Sequence, residues 1–248
     1  MKNALAYCAN GDPSYSRMLA NSVNSFFASN GGGLLDEVVL LTDKRGLRVP
    51  DGIDPRAKIR VVSGLTHDYS TMAFPDEDTK RLFSTATFFR WELFNNPLFL
   101  EYDNVLYLDN DTEVWEPVEE LFPRIPTSKL RMVQQEANKM DVYGIDLPRY
   151  CNTGVMSLSP KTIGADVLRR LFVELVETNK RTQFRYVDQD TLNFVLSQDG
   201  FNNLVETLPG EYNFFRSTAK MVSSPDAKVK IRHYVKQKDY PTRFLPYN

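Results

Sequence analysis

Two aspartates that follow a short apolar run carry the clearest chemical signal in the chain. Asp109 and Asp111 come directly after the sequence VLYL of residues 105–108. A continuous apolar run is typical of a strand buried on both faces, and in open α/β sheets the carboxyl end of such a strand borders the ligand crevice. Two carboxylates this close repel each other unless a cation offsets their charge. The pattern therefore predicts a site for a hard divalent cation, Mn²⁺ or Mg²⁺, that also binds phosphate oxygens.

The same aspartates also fit two other interpretations. Asp and Asn are common in exposed turns, because their side chains hydrogen-bond to nearby backbone groups. A phosphohydrolase of the haloacid dehalogenase type also places an Asp-x-Asp after an apolar strand, with the first Asp attacking phosphate. That class has Thr or Val two positions beyond the second Asp and has the motif near its start. Here the position is Glu113, and more than a hundred residues precede the motif.

The elements that position this motif are predicted to form an α/β sandwich with a largely parallel sheet, because strands alternate with helices. We expect one domain over residues 1–248, with neither an internal repeat nor a linker. The predicted strands are residues 3–8, 37–42, 58–62, 104–109, 130–134, 153–159 and 229–235, and the predicted helices are residues 14–29, 79–94, a segment beginning at residue 160, and 188–196.

Composition narrows the function classes. The net charge of −2 requires no strongly basic patch, although local patches remain possible, so nucleic acid is a poor candidate partner. The two cysteines, Cys8 and Cys151, fit no metal-ligand spacing and are interpreted as small buried residues, which favours a reducing compartment. The chain contains no apolar run of membrane-spanning length, and its start is too polar for a secretory signal. We therefore expect a cytoplasmic protein without an integral membrane segment.

Four blocks resemble, in order, those of the GT-A glycosyltransferases of family 8. The blocks are FFRWEL at 88–93, VLYLDND at 105–111, NTGVMSL at 152–158 and DQDTLN at 188–193. Each block alone is weak, but their order is fairly specific and the resemblance spans nearly the full chain. It implies the GT-A nucleotide-diphospho-sugar transferase fold, a single Rossmann-like domain with a mixed, mostly parallel central sheet.

The resemblance implies a metal-dependent transfer of a hexose from a UDP-sugar donor to a glycan, glycolipid or protein acceptor, with retained configuration. The metal ligands would be Asp109, Asp111 and the late His233, and the imidazole favours Mn²⁺ over Mg²⁺. Without the family, a lone histidine in a strand is more often an ordinary packed residue. A protein of the same fold that binds a nucleotide-sugar without turnover is the remaining alternative.

Catalytic roles are also implied residue by residue. Arg90 would reach the donor from its helix, although a surface ion pair is the simpler explanation for such a side chain. Asn152 and Asp188 would hydrogen-bond to the transferred sugar, and Gln189 would lie close to the anomeric carbon. Gly154 would let the backbone approach the ligand, because it has no Cβ. An ordinary turn is the alternative for Asn152 and Gly154.

The uridine and diphosphate pockets are implied by further matches. A tyrosine ring can stack on uracil, although core packing is an equal alternative for Tyr7. A lysine after the late histidine would contact the diphosphate. Residues 136–150 and the irregular tail are predicted to shape the acceptor side, and His67 is predicted to be an ordinary surface residue. The donor-binding residues implied in this way are Ala6, Tyr7, Tyr15, Asn110, Lys236 and Lys238.

Overall fold

Strands and helices alternate in an α/β fold, as the sequence predicts. A computed structural model describes residues 1–82, 84–135, 139–140, 145–147, 149–215 and 218–234. The strands are β1 (Asn3–Cys8), β2 (Glu37–Leu41), β3 (Ile59–Val62), β4 (Asn104–Leu108), β5 (Thr112–Val114), β6 (Leu130–Gln134), β7 (Lys139–Met140), β8 (Ile145–Asp146), β9 (Cys151–Leu158), β10 (Val205–Leu208) and β11 (Ile231–His233). The helices are α1 (Pro13–Asn30), α2 (Glu77–Leu82), α3 (Glu92–Asn95), α4 (Pro160–Ile163), α5 (Ala165–Arg181) and α6 (Val187–Leu196).

The central sheet has seven strands in the order β10-β6-β9-β4-β1-β2-β3. Neighbouring strands are parallel except at β9, which runs antiparallel to both β4 and β6. The predicted mixed, mostly parallel sheet is therefore confirmed. Because β9 is reversed, its beginning lies beside the carboxyl ends of β1 and β4. That edge of the sheet is where the predicted site residues meet.

Each face of the sheet is covered by its own apolar layer. Helix α1 packs on one face, where Phe26 lies in a cluster with Leu5 and Leu106. Helices α3, α5 and α6 cover the other face, where Leu171 lies in a cluster with Ala4. Burial on both faces explains why β1, β2 and β4 are nearly continuous apolar runs. The core therefore holds the strand ends of the site at fixed spacing.

Helix α1 has a capping residue at its start and a glycine at its end. Its N-cap Asp12 accepts a hydrogen bond of 2.8 Å from the backbone N–H of Ser14, and Pro13 occupies the first turn. Gly31 ends the helix with a φ of +69°, a conformation that costs glycine little. The predicted helix at residues 14–29 is confirmed.

The continuous helix predicted at residues 79–94 is wrong. Helix α2 ends at Leu82, Ser84 has an extended backbone, a 3-10 helix follows over Thr85–Trp91, and α3 begins at Glu92. The 3-10 segment buries Phe88, Phe89, Arg90 and Trp91 in succession, so it is buried on more than one side. An α-helix that packs on one apolar face buries only one stripe of its residues, so it would not bury four consecutive residues. The tighter turn places Arg90 inside the protein.

Smaller differences concern short strands. The sequence analysis missed β5 and β10, which have three and four residues and carry polar residues among their apolar ones. Of the strand predicted at residues 229–235, the structure shows β11 over Ile231–His233.

Lys236, Lys238 and much of the 136–150 segment lie outside the described residues. Within the described part of the chain, no helix is both long and apolar enough to cross a bilayer.

Candidate active site

The site is built where β4, β9 and β11 meet. The backbone N–H of Asp109 donates a hydrogen bond of 2.8 Å to the carbonyl of Gly154, which extends the β4–β9 pairing to the motif. The hydroxyl of Thr112 donates 2.8 Å to the carbonyl of Asp109 and closes a tight turn. Strand β5 then pairs antiparallel with β11 and sets His233 opposite Thr112. Residues from distant parts of the sequence thus converge on one strand end.

Asp109, Asp111 and His233, here called the carboxylate cluster, come together as predicted. His233 Nε2 lies 3.2 Å from Asp111 Oδ1 and 3.7 Å from Asp109 Oδ2. One ligand atom from each residue lies within 4.8 Å of the others. The two carboxylates are partly exposed, whereas the imidazole is buried. Two oxygen donors and one nitrogen donor that converge in this way are a fitting ligand set for a divalent cation.

Gly154 leaves the space that this cluster occupies. A Cβ on residue 154 would lie 2.4 Å from His233 Cε1 and 2.8 Å from Asp109 Oδ2. Real Cβ atoms do not approach other atoms so closely. The glycine is therefore required by packing against the cluster, and the interpretation of residue 154 as part of an ordinary turn is wrong, because it lies inside β9.

Arg90 is a buried bridge between two acidic residues. Its Nη2 lies 3.0 Å from Asp109 Oδ1, and its Nε lies 3.1 Å from Asp188 Oδ2. Its Nη1 donates to the carbonyl and the hydroxyl of Thr153, at 3.1 and 2.7 Å. The guanidinium also lies 5.1 Å from the centre of the Tyr107 ring. The simpler explanation of Arg90 as a surface ion pair is wrong.

The contact between Arg90 and Asp188 is electrostatic rather than a directed hydrogen bond. The Nε–H of Arg90 donates instead to the carbonyl of Thr87, at 3.0 Å, and Asp188 Oδ2 receives no hydrogen bond among the described residues. Burial raises the pKa of Asp188 to about 7, while the charge of Arg90 acts in the opposite direction. Burial also opposes the charge of Arg90, but Asp109 and Asp188 outweigh it and raise the pKa of the guanidinium.

The electrostatics of His233 follow from the same crowding. Burial acts to lower the pKa of the imidazole, but the charges of Asp111 and Asp109 outweigh burial and raise it. The ring edge packs against Phe215, with the ring centres 5.5 Å apart. Three acidic side chains, Asp109, Asp111 and Asp188, thus lie close to two basic ones, Arg90 and His233, near the carboxyl end of β4.

Beside the cluster lies a chain of neutral side chains, here called the amide network and made of Asn152, Gln189 and Asn213. Asn152 Nδ2 donates 2.9 Å to Gln189 Oε1, and Asn213 Nδ2 donates 2.7 Å to Asn152 Oδ1. Gln189 Nε2 donates 2.8 Å to the hydroxyl of Tyr150, which donates 2.5 Å to Asp190. The structure therefore connects two of the predicted residues, Asn152 and Gln189, whereas Asp188 lies against Arg90 instead.

Two predicted uridine-pocket residues do not fit a pocket. Ala6 and Tyr7 are completely buried inside β1. The ring of Tyr7 packs in the α1 layer, and its hydroxyl is 2.9 Å from Ser22. The stacking role predicted for Tyr7 is wrong, because its ring is enclosed on the face opposite Arg90, and core packing is the correct alternative. Ala6 offers no exposed surface to a base.

Two other predicted donor-binding residues are partly exposed. Tyr15 lies partly exposed in the first turn of α1. Asn110 is partly exposed and donates 2.9 Å to the carbonyl of Cys8 at the end of β1. Their roles in donor binding remain predictions. His67, predicted to be an ordinary surface residue, instead packs edge-on against Tyr69 and Phe172, at 5.1 and 5.7 Å.

Sequence reasoning missed several residues of the site. Tyr107 donates 2.7 Å to Asp109 from inside the VLYL run, where it was interpreted only as apolar. Asn193 accepts from the backbone N–H of Cys151 at 2.6 Å and donates to its carbonyl at 2.7 Å, which ties α6 to β9. Its position in the DQDTLN block was an available signal. Asn213 has no motif around it and had no sequence signal.

The comparisons with known proteins agree with this geometry. The sequence profile of glycosyl transferase family 8 matches residues 51–238, which is 188 of the 248 residues. The chain belongs to glycosyl transferase family 8. This membership excludes the haloacid dehalogenase interpretation of the aspartate motif. No curated protein sequence matches the chain significantly.

Solved glycosyltransferase structures share the fold of this family 8 chain. The galactosyltransferase LgtC, solved with donor and acceptor sugar analogues, is 21% identical with a TM-score of 0.66, over 94% of this chain and 87% of LgtC. The bifunctional glycosyltransferase WbbM is 19% identical with a TM-score of 0.67, over 95% of this chain and 46% of WbbM. Mouse xyloside xylosyltransferase 1 is 13% identical with a TM-score of 0.61, over 97% and 99%. At these identities the likeness concerns the GT-A fold, which confirms the predicted fold class.

Proposed function

We propose that this family 8 glycosyltransferase transfers a hexose from a UDP-sugar with the help of Mn²⁺ and retains the anomeric configuration. The observation that carries the proposal is the carboxylate cluster at the end of a buried strand, where ligand atoms from three residues lie within 4.8 Å of one another. Family membership supports a glycosyl transfer reaction. The donor, the metal and the stereochemical outcome are the parts that this proposal adds.

The residues present fit a divalent cation. Asp109 and Asp111 offer hard oxygen donors, and His233 offers a nitrogen that suits Mn²⁺ better than Mg²⁺. The space that a Cβ at Gly154 would fill lies against two of these three residues. Mg²⁺ remains the second choice. A divalent cation bound by the cluster would neutralise negative charge on a departing diphosphate.

Three further side chains act on the donor in this proposal. Arg90 holds Asp109, which belongs to the cluster, close to Asp188, and we propose that Asp188 faces the sugar. Asp188 Oδ2 is buried and receives no hydrogen bond among the described residues, so it is available to accept one from a sugar hydroxyl. Gln189 accepts a hydrogen bond from Asn152, and we propose that it lies near the anomeric carbon of the bound donor.

Retention, which the resemblance to family 8 implies, needs a route that fits the way the carboxylates are held. A covalent mechanism requires a free carboxylate beside the anomeric carbon. Asp188 is held against Arg90, and Asp190 accepts from the hydroxyl of Tyr150 and from the backbone N–H of Tyr186. Neither carboxylate is positioned as a mobile nucleophile. We therefore favour attack by the acceptor on the same face as the leaving group, with an oxygen of the departing diphosphate accepting the acceptor's proton.

The wider setting is also part of the proposal. We propose one GT-A domain over residues 1–248, a glycan, glycolipid or protein as acceptor, and a cytoplasmic location. A reducing compartment is supported by Cys8 and Cys151, which are both free and buried. Burial raises the pKa of each thiol to about 12, so neither is a reactive thiolate.

A donor screen tests the proposal. The wild-type protein is incubated with a panel of UDP-hexoses and Mn²⁺, and the release of UDP is measured with and without a chelator. We expect slow release from one donor, its loss with chelator, and its loss in Asp109→Ala. Binding of UDP without release from any donor would instead support a binding protein without turnover. Metal-independent release in wild type and in Asp109→Ala would contradict the metal role.

A further inference from the structure

Asn213 lies between the carboxylate cluster and the amide network and is completely buried. Its Oδ1 is 2.9 Å from His233 Nδ1, and its Nδ2 is 2.7 Å from Asn152 Oδ1. It is the residue through which the ring of His233 contacts the amide network. Its two ends thus touch one proposed metal ligand and one proposed sugar-binding residue.

Backbone donors determine which way these amides point. The N–H of Gly154 can only donate, and it lies 2.8 Å from Asn152 Oδ1, so that atom must be the oxygen. The N–H of Thr153 likewise donates 3.2 Å to Gln189 Oε1, which also accepts from Asn152 Nδ2. Both backbone groups give the same orientation of Asn152. This removes the usual ambiguity between the oxygen and nitrogen of a side-chain amide.

The orientation of Asn213 follows from that of Asn152. Because Asn152 Oδ1 is an acceptor, the atom of Asn213 that faces it must be the NH₂ group. The oxygen of Asn213 then faces His233, so the neutral imidazole must carry its proton on Nδ1 to form the bond of 2.9 Å. The other tautomer would set two lone pairs against each other there, and its Nε2–H would donate to Asp111 Oδ1, 3.2 Å away, and so occupy the nitrogen that a cation needs.

We infer that Asn213 is a positioning residue that holds His233 in the Nδ1–H tautomer, so that the lone pair of Nε2 points at the cation site. The part of this inference that concerns the metal rests on the proposed function, whereas the tautomer does not. Asn213 also connects the metal ligand to Asn152, so that the two halves of the site are ordered together. A partner of this kind typically contributes 10- to 100-fold to metal affinity.

The backbone around Asn213 supports this role. The N–H of Phe214 donates 2.8 Å to the carbonyl of Ile231, and the N–H of His233 donates 3.1 Å to the carbonyl of Phe214. The carbonyl of Asn213 itself accepts from the hydroxyl of Thr218 at 2.6 Å. The segment is therefore held against β11, and the distance between Asn213 and His233 is set by the fold.

Two substitutions separate the two ends of Asn213. Asn213→Ala removes both hydrogen bonds. Asn213→Asp keeps an acceptor for Nδ1–H but removes the donor to Asn152. Asn179→Ala is the matched control, because Asn179 is also completely buried and makes two hydrogen bonds with the backbone of Ala73, remote from the cluster in the fold.

The decisive readout is ¹⁵N NMR of the imidazoles in metal-free protein, at a pH where the rings are neutral. The chain has only two histidines, His67 and His233, so a His67→Phe variant assigns the signals. We expect Nδ1–H for His233 in wild type, Asn213→Asp and Asn179→Ala, and a shift toward Nε2–H in Asn213→Ala. Mn²⁺ affinity, measured by titration, should fall about 10- to 100-fold in Asn213→Ala and stay within about threefold of wild type in Asn179→Ala.

The outcomes distinguish this inference from the proposed function. If wild type does not bind Mn²⁺ but Asn213→Ala changes the tautomer, the metal proposal fails and the assignment of Asn213 stands. If wild type binds Mn²⁺ and Asn213→Ala keeps both the tautomer and the affinity, the assignment is overturned. An equal loss of Mn²⁺ affinity in Asn179→Ala would also overturn it, since general destabilisation would then explain the effect. If Asn213→Ala does not fold, an Nε2–H ring in wild type or in Asn213→Asp overturns the assignment.

Discussion

The carboxylate cluster and the amide network lie on two sides of Gly154 and satisfy their polar groups in different ways. In the amide network, each hydrogen bond joins a donor to an acceptor, and two backbone N–H groups fix the orientation of the side-chain amides. In the carboxylate cluster, two carboxylates converge on one imidazole, and only Asp109 is also paired with Arg90. The neutral half is ordered by the protein itself, whereas repulsion in the charged half would be relieved by the proposed cation.

The largest effect is expected from Asp111→Asn, which removes charge from the cluster and keeps the side-chain shape. Asp111 Oδ1 is 3.2 Å from His233 Nε2. Loss of one anionic ligand should lower kcat/KM by about 10³-fold or more, while the melting temperature stays the same or rises because repulsion is relieved. Steady-state kinetics with Mn²⁺ and thermal unfolding measure both quantities. Asp226→Asn, at an exposed position, is the control. Turnover near the wild-type value in Asp111→Asn would place the metal elsewhere.

A steric change at the boundary of the two halves should have the next largest effect. In Gly154→Ala the new Cβ would lie 2.4 Å from His233 Cε1 and 2.8 Å from Asp109 Oδ2. We expect about 10- to 100-fold weaker Mn²⁺ binding and a loss of about 1–3 kcal/mol in the free energy of unfolding. Gly33→Ala is the matched control, because nothing lies within 4 Å of a Cβ at that position. Equal Mn²⁺ affinity in both variants would contradict the packing described around Gly154.

Arg90→Lys tests whether geometry or charge alone holds the charged half together. Arg90 reaches Asp109, Asp188 and Thr153 with three different nitrogens, and a single ammonium group cannot reproduce that fork. We expect turnover to fall about 10- to 100-fold, although the charge is unchanged. Arg60→Lys, at a half-exposed ion pair with Glu101, should have little effect on kinetics or stability. Full activity in Arg90→Lys would show that its fork is dispensable.

The smallest effect concerns stability and pH. Burial raises the pKa of Asp188 to about 7, whereas the unfolded chain loses this proton near its ordinary value of 3.8. The folded state therefore binds more protons between these values, so the free energy of unfolding should fall as pH rises from about 4 to 7. Asp188→Asn should remove this fall, because the variant has no proton to lose at that position. Urea unfolding of metal-free protein at several pH values measures the slope. The same slope in wild type and in the variant would contradict the burial described for Asp188.

The two halves of the site also differ in how far the sequence predicts them. The aspartates are visible because they follow a continuous apolar strand, and the same signal predicts the parallel core around β1, β2 and β4. His233 and Asp188 were found through family blocks rather than through their own surroundings. Asn213 was missed, because a buried asparagine in a short 3-10 turn has no periodic pattern around it.

The errors in the predicted elements also arise from tertiary packing that has no periodic pattern in the sequence. The segment at residues 85–91 was predicted as a helix with one apolar face, but it is buried on several sides as a 3-10 helix, and that difference decides that Arg90 is inside. Tyr7 was considered for the donor pocket because of its place in the sequence. Its side in β1, alternating with Ala6 and Cys8, determines that it faces the α1 layer. Tertiary packing, which local sequence does not encode, decided both cases.

Metal binding by the carboxylate cluster is tested most directly by crystallography. Crystals soaked with Mn²⁺ and UDP would be measured near the manganese absorption edge, with Asp111→Asn crystals treated in the same way. We expect one strong anomalous peak within bonding distance of Asp109, Asp111 and His233 in wild type, with the diphosphate beside it, and a weak or absent peak in the variant. No peak at the carboxylate cluster while UDP is bound, or an equal peak in both proteins, would contradict it.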